Sequence, residues 1–155
     1  MKTSMNSMKY VHTNLVAKDW RSLALFYIKV FGCKRKPPVR KLKGEWLDRL
    51  TSIKNAYVEG IHLELPGSWR KSAPTLEVFQ YAKGKASILQ KINRPGFGHI
   101  AFSVENVGST LEKVKKYGGS TVGELVETTI NGVGRIQVVH ARDPEGNIVE
   151  IQKWR

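Results

Sequence analysis

A single cysteine, Cys33, stands in the 155-residue sequence. That excludes an internal disulfide framework and any site built on several thiolates, and it suits a reducing compartment. Long hydrophobic runs are missing as well. Apolar stretches last only a few residues, against the ~18–20 that a spanning helix requires, and the opening MKTSMNSMKY lacks the apolar centre of a secretory signal. A cytoplasmic location without a membrane partner is therefore expected. Acidic residues are scarce: 13 Asp and Glu stand against 26 Lys and Arg, a formal charge of +13. Such an excess draws anions. Six of the ten residues of KRKPPVRKLK, Lys34 to Lys43, are basic, but other cations are spread along the chain. No zinc knuckle, RNP-like aromatic strand or helix-turn-helix accompanies them. Nucleic acid is accordingly disfavoured against a solvated basic surface or a mouth that attracts an anionic small molecule.

With 41% apolar and 25% charged residues the balance is that of a globular chain. An internal repeat organises it. YVHTNLVA (10–17) reads as a strand, followed by an amphipathic helix over about 20–31 with Asp19 as N-cap and Gly32 as C-cap. GHIAFSV (98–104) and a helix over about 108–117, ending at Gly118 and Gly119, repeat that order. Superposing His12 on His99 puts Leu15 on Phe102 and Asp19 on Asn106. The ends correspond too: LEVFQY (76–81) matches VEIQKW (149–154). Between helix and last strand the second half offers strands over 121–129 and 134–140, joined at Asn131-Gly132, then a turn at DPEGN (143–147). Each half thus reads as strand, helix, three strands. In the first half, Leu42, Trp46, Leu47, Leu50 and Ile53 recur at helical spacing, so an inserted amphipathic helix is expected near 39–53, ahead of a strand over 57–65. The expected division is a flexible lead over 1–8, a first module over 9–82, a linker over 83–96 and a second module over 97–155.

Period two decides which side chains meet. In the first strand of each half the bulkier apolar set should face the helix, which leaves His12 and His99 on the other face; the same alternation turns Glu77 and Glu150 that way. Two imidazoles and two carboxylates then converge if the sheets curve around one pocket, a donor set suited to one borderline divalent ion per site, Zn, Ni, Co, Mn or Fe. A carboxylate on an apolar strand is costly unless paired or bound to a cation, and here it occurs twice in register with a histidine. The competing reading is a buried His–Glu hydrogen-bond network without metal. His62 and His140 are read as surface or packing residues, and Glu45 as a solvated helix residue with a second acid or base as the alternative. Trp46 and Phe79 either line the pocket or pack the core. Cys33 is given no catalytic role.

The duplicated strand–helix–three-strand order, with GFGHIAFSVENV and DPEGNIVEIQKW in the second half, resembles the vicinal oxygen chelate superfamily, that of glyoxalases, bleomycin resistance proteins and dioxygenases, from about Lys9 to Trp154. The resemblance implies an α+β fold of two βαβββ modules that form a cupped mixed sheet with helices outside. It implies a divalent metal on His12, Glu77, His99 and Glu150, and a site within one chain or across a homodimer. GEWLDRL, VEGIHLELPG and TLEVFQY resemble the branch of methylmalonyl-CoA epimerase-like and cyclitol epimerase-like enzymes. That implies proton abstraction next to a carbonyl on a small, anionic or polyol substrate, with Glu150 or Glu77 as base. A glyoxalase I-like lyase, a metal-dependent dioxygenase and a non-catalytic binding or resistance protein are the alternatives; the charge of +13 opposes a cationic drug as ligand.

Overall fold

A computed structural model describes residues 8–67 and 69–155. Asp19 starts the first helix: its carboxylate accepts from the backbone N–H groups of Arg21 and Ser22 and from the Ser22 hydroxyl. Those bonds, the one from the Ser22 side chain foremost, hold its carboxyl below the ordinary value. Gly32, at φ 73°, ends the helix in the left-handed conformation that glycine adopts without strain. The first half runs β1 (His12–Val16), α1 (Trp20–Phe31), β2 (Lys34–Lys43), α2 (Glu45–Thr51), β3 (Tyr57–Glu64) and β4 (Thr75–Tyr81). The second runs β5 (Ile100–Ser103), α3 (Val107–Lys116), β6 (Ser120–Ile130), β7 (Gly134–Arg142) and β8 (Ile148–Trp154). Asn106 caps α3 as Asp19 caps α1. The expected lead over 1–8 lies almost wholly outside the described residues.

The two sheets have one topology. Their strand orders are β1-β4-β3-β2 and β5-β8-β7-β6, with β1 parallel to β4, β5 parallel to β8 and the remaining pairs antiparallel. This is the α+β pair of βαβββ modules that the repeat implied. Alternation holds as expected: Leu76, Val78, Val149 and Ile151 are buried, while Glu77 and Glu150 turn to the other face.

The basic run differs from expectation. Residues 39–43 are strand, not helix, because β2 pairs with β3 over Arg40↔Gly60, Leu42↔Val58 and Lys43↔Tyr57. Gly44, at φ 116°, then turns the chain into an α2 of only seven residues. Of the helical apolar set only Leu47 is buried, and Trp46 is 54% exposed, so Trp46 is not core. Phe79 is core, packed with Leu47, Ala56 and Val58. The register of β2 shifts between Lys36 and Arg40, around Pro37 and Pro38, which have no N–H to give the ladder. Lysines and arginines along this outer strand also discourage pairing with another sheet.

The modules share one core. Phe31 of α1 stacks on Phe102 of β5 with ring centroids 4.2 Å apart, and Tyr27 and Leu23 belong to the same buried cluster as Val107, Val114 and Val139. Polar contacts fix the join. The Glu145 carboxylate accepts from the backbone N–H groups of Lys18 and Asp19, and the Tyr27 hydroxyl donates to Asp143 Oδ2 at 2.8 Å. Within β3, Gly60 lies flat on β4. A Cβ there would meet the Val78 carbonyl oxygen at 2.1 Å and the Phe79 ring at 2.3 Å. Gly60→Ala is accordingly expected to destabilise the fold by about 2 kcal/mol; a denaturant midpoint equal to that of the wild type would show that the strands part without cost.

Candidate metal centre

Each module gathers two histidines and one glutamate. In the first, His62 on β3 stands opposite Glu77 on β4 in the antiparallel register, and its Nε2 lies 2.8 Å from Glu77 Oε2. His12, at the start of β1, brings Nε2 to 3.7 Å from Glu77 Oε1. In the second, His140 on β7 stands opposite Glu150 on β8, with Nε2 3.0 Å from Glu150 Oε2. His99, just before β5, places Nε2 at 3.4 Å from the same oxygen. The ring pairs His12–His62 and His99–His140 meet edge-on, at 5.5 and 5.0 Å between centroids. The donor atoms of each triad lie within 4.8 Å of one another.

The sequence reading brings His12, Glu77, His99 and Glu150 to one ion; in the chain they fall in two separate groups, one per module, because each glutamate is gathered with the histidines of its own sheet. One cavity touches His12 of the first group and His99 of the second. Its volume is about 730 Å³, and it lies between β1 and β5 with Tyr10, His12, Asn14, Phe97 and His99 in its wall and neither glutamate among its lining residues. His62 and His140 are the members that sequence reasoning took for packing residues. One signal for His140 was available: the DPEGN turn is centred on Glu145, and a hairpin about that centre sets residue 140 against residue 150. His62 has no such signal, because the connection from 65 to 74 is longer than the DPEGN turn and its register is not given by the repeat.

The surroundings differ between the triads. The Asn14 amide donates to Glu77 Oε1 at 2.7 Å, whereas the residue opposite Glu150 on the parallel neighbour is Ala101, which has nothing to donate. His62 Nδ1 lies 2.9 Å from the hydroxyl of Thr75, itself buried. A bond at Nδ1 fixes the ring and leaves Nε2 for the opposite partner. Burial pushes the His62 imidazole below its ordinary value in spite of the Glu77 carboxylate, and Arg40, His12 and Lys36 act in the same direction as burial. The donors are imidazole nitrogens and carboxylate oxygens on partly exposed side chains, a set that fits a borderline divalent ion, and three donors per group leave positions for other ligands. Glu45 is exposed on α2. Burial raises the Cys33 thiol to about 12, which leaves it without the thiolate that nucleophilic chemistry requires.

The profile of the Glyoxalase/Bleomycin resistance protein/Dioxygenase superfamily matches residues 9–151. The chain belongs to that superfamily. Comparison with curated protein sequences finds no significant match. Among solved structures, a glyoxalase family protein from Bacillus cereus superposes with a TM-score of 0.73 at 19% identity, covering 99% of this chain and 97% of the other. A fosfomycin resistance protein from Listeria monocytogenes superposes with a TM-score of 0.60 at 16% identity, covering 97% and 96%. The same kind of protein from that organism, in a complex with Mn(II) and sulfate, gives 0.57 at 14%, covering 97% and 95%. At these identities the likeness is one of fold. The glyoxalase superfamily includes metalloenzymes, and this member carries donor groups able to hold a metal. No helix among its described residues is long and apolar enough to cross a membrane.

Proposed function

We propose that this chain is a divalent-metal-dependent enzyme that removes a proton next to a carbonyl, an epimerase or isomerase acting on a small anionic or polyol substrate. The observation that carries the proposal is the matched His–Glu pair at the same place in both modules, His12 with Glu77 and His99 with Glu150. These four would hold the ion, which when bound supplies Lewis-acid polarisation of the substrate oxygens. Everything else falls to the chain's own groups. Glu150 is the base: both its histidine contacts fall on Oε2, which leaves Oε1 without a histidine partner to take the proton from the substrate carbon. The electron pair of that C–H bond passes to the neighbouring carbonyl. Return of the proton by Glu150 to the adjacent carbon gives the isomer; loss of that proton to solvent and delivery of a solvent proton to the opposite face gives the epimer. Glu77, held by Asn14 and His62, keeps its place and positions the substrate.

The assembly is a homodimer. β1 and β5 are edge strands of their sheets, and the surface beside them exposes Tyr10, Val11, Val16, Ile88 and Phe97, the last at 97%. A second copy covering these edges would shield that apolar surface and bring the His12–Glu77 pair of one chain to the His99–Glu150 pair of the other. The net charge of +13 favours anionic substrates.

The test uses protein purified without a histidine tag, loaded with Mn(II), Co(II), Ni(II) or Zn(II), and incubated in D₂O with a polyol ketone, an acyl thioester and a hemithioacetal. Deuterium entering the carbon next to the carbonyl, lost on chelation and restored by metal, is the expected result. Full exchange after exhaustive chelation would discard the metal-dependent reading.

A further inference from the structure

We propose that each module is a metal site in its own right, so that one chain takes two divalent ions: one on His12, His62 and Glu77, the other on His99, His140 and Glu150. The inference rests on the function proposed above in taking His12, Glu77, His99 and Glu150 as ligands. It adds His62 and His140 to them and changes the number of ions from one to two.

Three observations carry it. The first is completeness within each module. Two imidazoles and one carboxylate with mutually close donor atoms form a three-donor face that binds a first-row divalent ion and leaves positions for water or substrate. The second is spacing. Ligand atoms about 2.0–2.2 Å from a shared ion lie about 3 to 3.5 Å from one another; in the second triad both histidines approach one oxygen, Glu150 Oε2, at 3.0 and 3.4 Å, whereas in the first His62 approaches Glu77 Oε2 at 2.8 Å and His12 approaches Oε1 at 3.7 Å, so small side-chain shifts would seat an ion there. The third is duplication. His62 and His140 occupy equivalent places, each opposite the glutamate of its own module on the neighbouring antiparallel strand. His62 is further fixed through Nδ1 by Thr75, the outer support that a ligating histidine commonly has. If chains pair so that the first module of one faces the second module of the other, each shared bowl holds two ions with four histidines and two glutamates around them. Two such ions can engage both oxygens of one substrate.

Metal content decides the matter without reference to turnover. Untagged protein, stripped by chelator and dialysed, is titrated with Co(II) and with Mn(II). Bound metal is counted per chain by elemental analysis, and the Co(II) visible spectrum is followed. The expected result is two ions per chain in the wild type and one in His62→Asn or His140→Asn, with each variant keeping the spectrum of the other module's site. Circular dichroism of each variant, and of Thr75→Ser, which retains the hydroxyl and should retain both ions, separates ligand loss from unfolding. One ion per chain in the wild type, unchanged in both histidine variants, would overturn the two-site assignment and leave the single-metal function standing. No bound ion at all would overturn both.

Discussion

Glu150→Gln is expected to lower turnover by about 1,000-fold, a loss of about 4 kcal/mol in transition-state stabilisation. Glutamine keeps the size of the side chain and one oxygen. It does not take a proton at neutral pH. Glu77→Gln should fall less steeply, because Glu77 is held at both oxygens, by Asn14 at 2.7 Å and by His62 at 2.8 Å, and is the less free of the two to leave its partners. Steady-state rates of deuterium exchange on the metal-loaded variants test the assignment, with metal content measured alongside. If Glu77→Gln were the more damaged at equal metal content, the base would be Glu77 and Asn14 its orienting partner.

Asp143→Ala is expected to cost about 3 kcal/mol of stability. Asp143 is 2% exposed, and its carboxylate accepts from the Tyr27 hydroxyl, from the backbone N–H groups of Glu145 and Asn147, and from the Asn147 amide. Alanine would leave the buried Tyr27 hydroxyl without a partner and free the turn that carries Glu145, so that the tie between the modules weakens together with the turn. Tyr27→Phe should cost less, about 1 kcal/mol, since the ring still packs on Phe31 and Phe102 and Asp143 keeps its other donors. Guanidinium unfolding at neutral pH measures both. Burial also raises the Asp143 carboxyl above its ordinary value, against the pull of its donors. A carboxyl raised by folding favours the folded state when protonated. Its contribution is complete below the unfolded value and is lost as the pH climbs through the folded one. Asp143→Asn, which does not titrate, should remove that part of the pH dependence; an unaltered stability–pH curve would show that the buried carboxyl is not its source.

The superfamily match and the fold agree with the reading of the repeat, and that repeat was legible for a local reason. Side chains alternate along a strand whatever its neighbours are, so His12, Glu77, His99 and Glu150 could be assigned to one face from spacing alone. Capping is equally local, and Asp19, Asn106 and Gly32 act where their sequence positions put them. The stretch 39–43 was misread because its apolar residues fit a helix and an edge strand alike. Pairing with β3 settled it, and that pairing depends on partners further along the chain, from Lys43↔Tyr57 to Arg40↔Gly60.

The sequence by itself determined that the chain is a duplicated α+β fold and which face of the first and last strand of each half carries polar donors. Only the tertiary structure decided the register of β3 on β4 across the long connection from 65 to 74, and with it that His62 joins the donors. It also decided that the donors group by module within the chain. Alternation is set by each residue's own backbone, whereas register and grouping are set by strand pairing and by a core shared between distant segments, which no short window of sequence encodes.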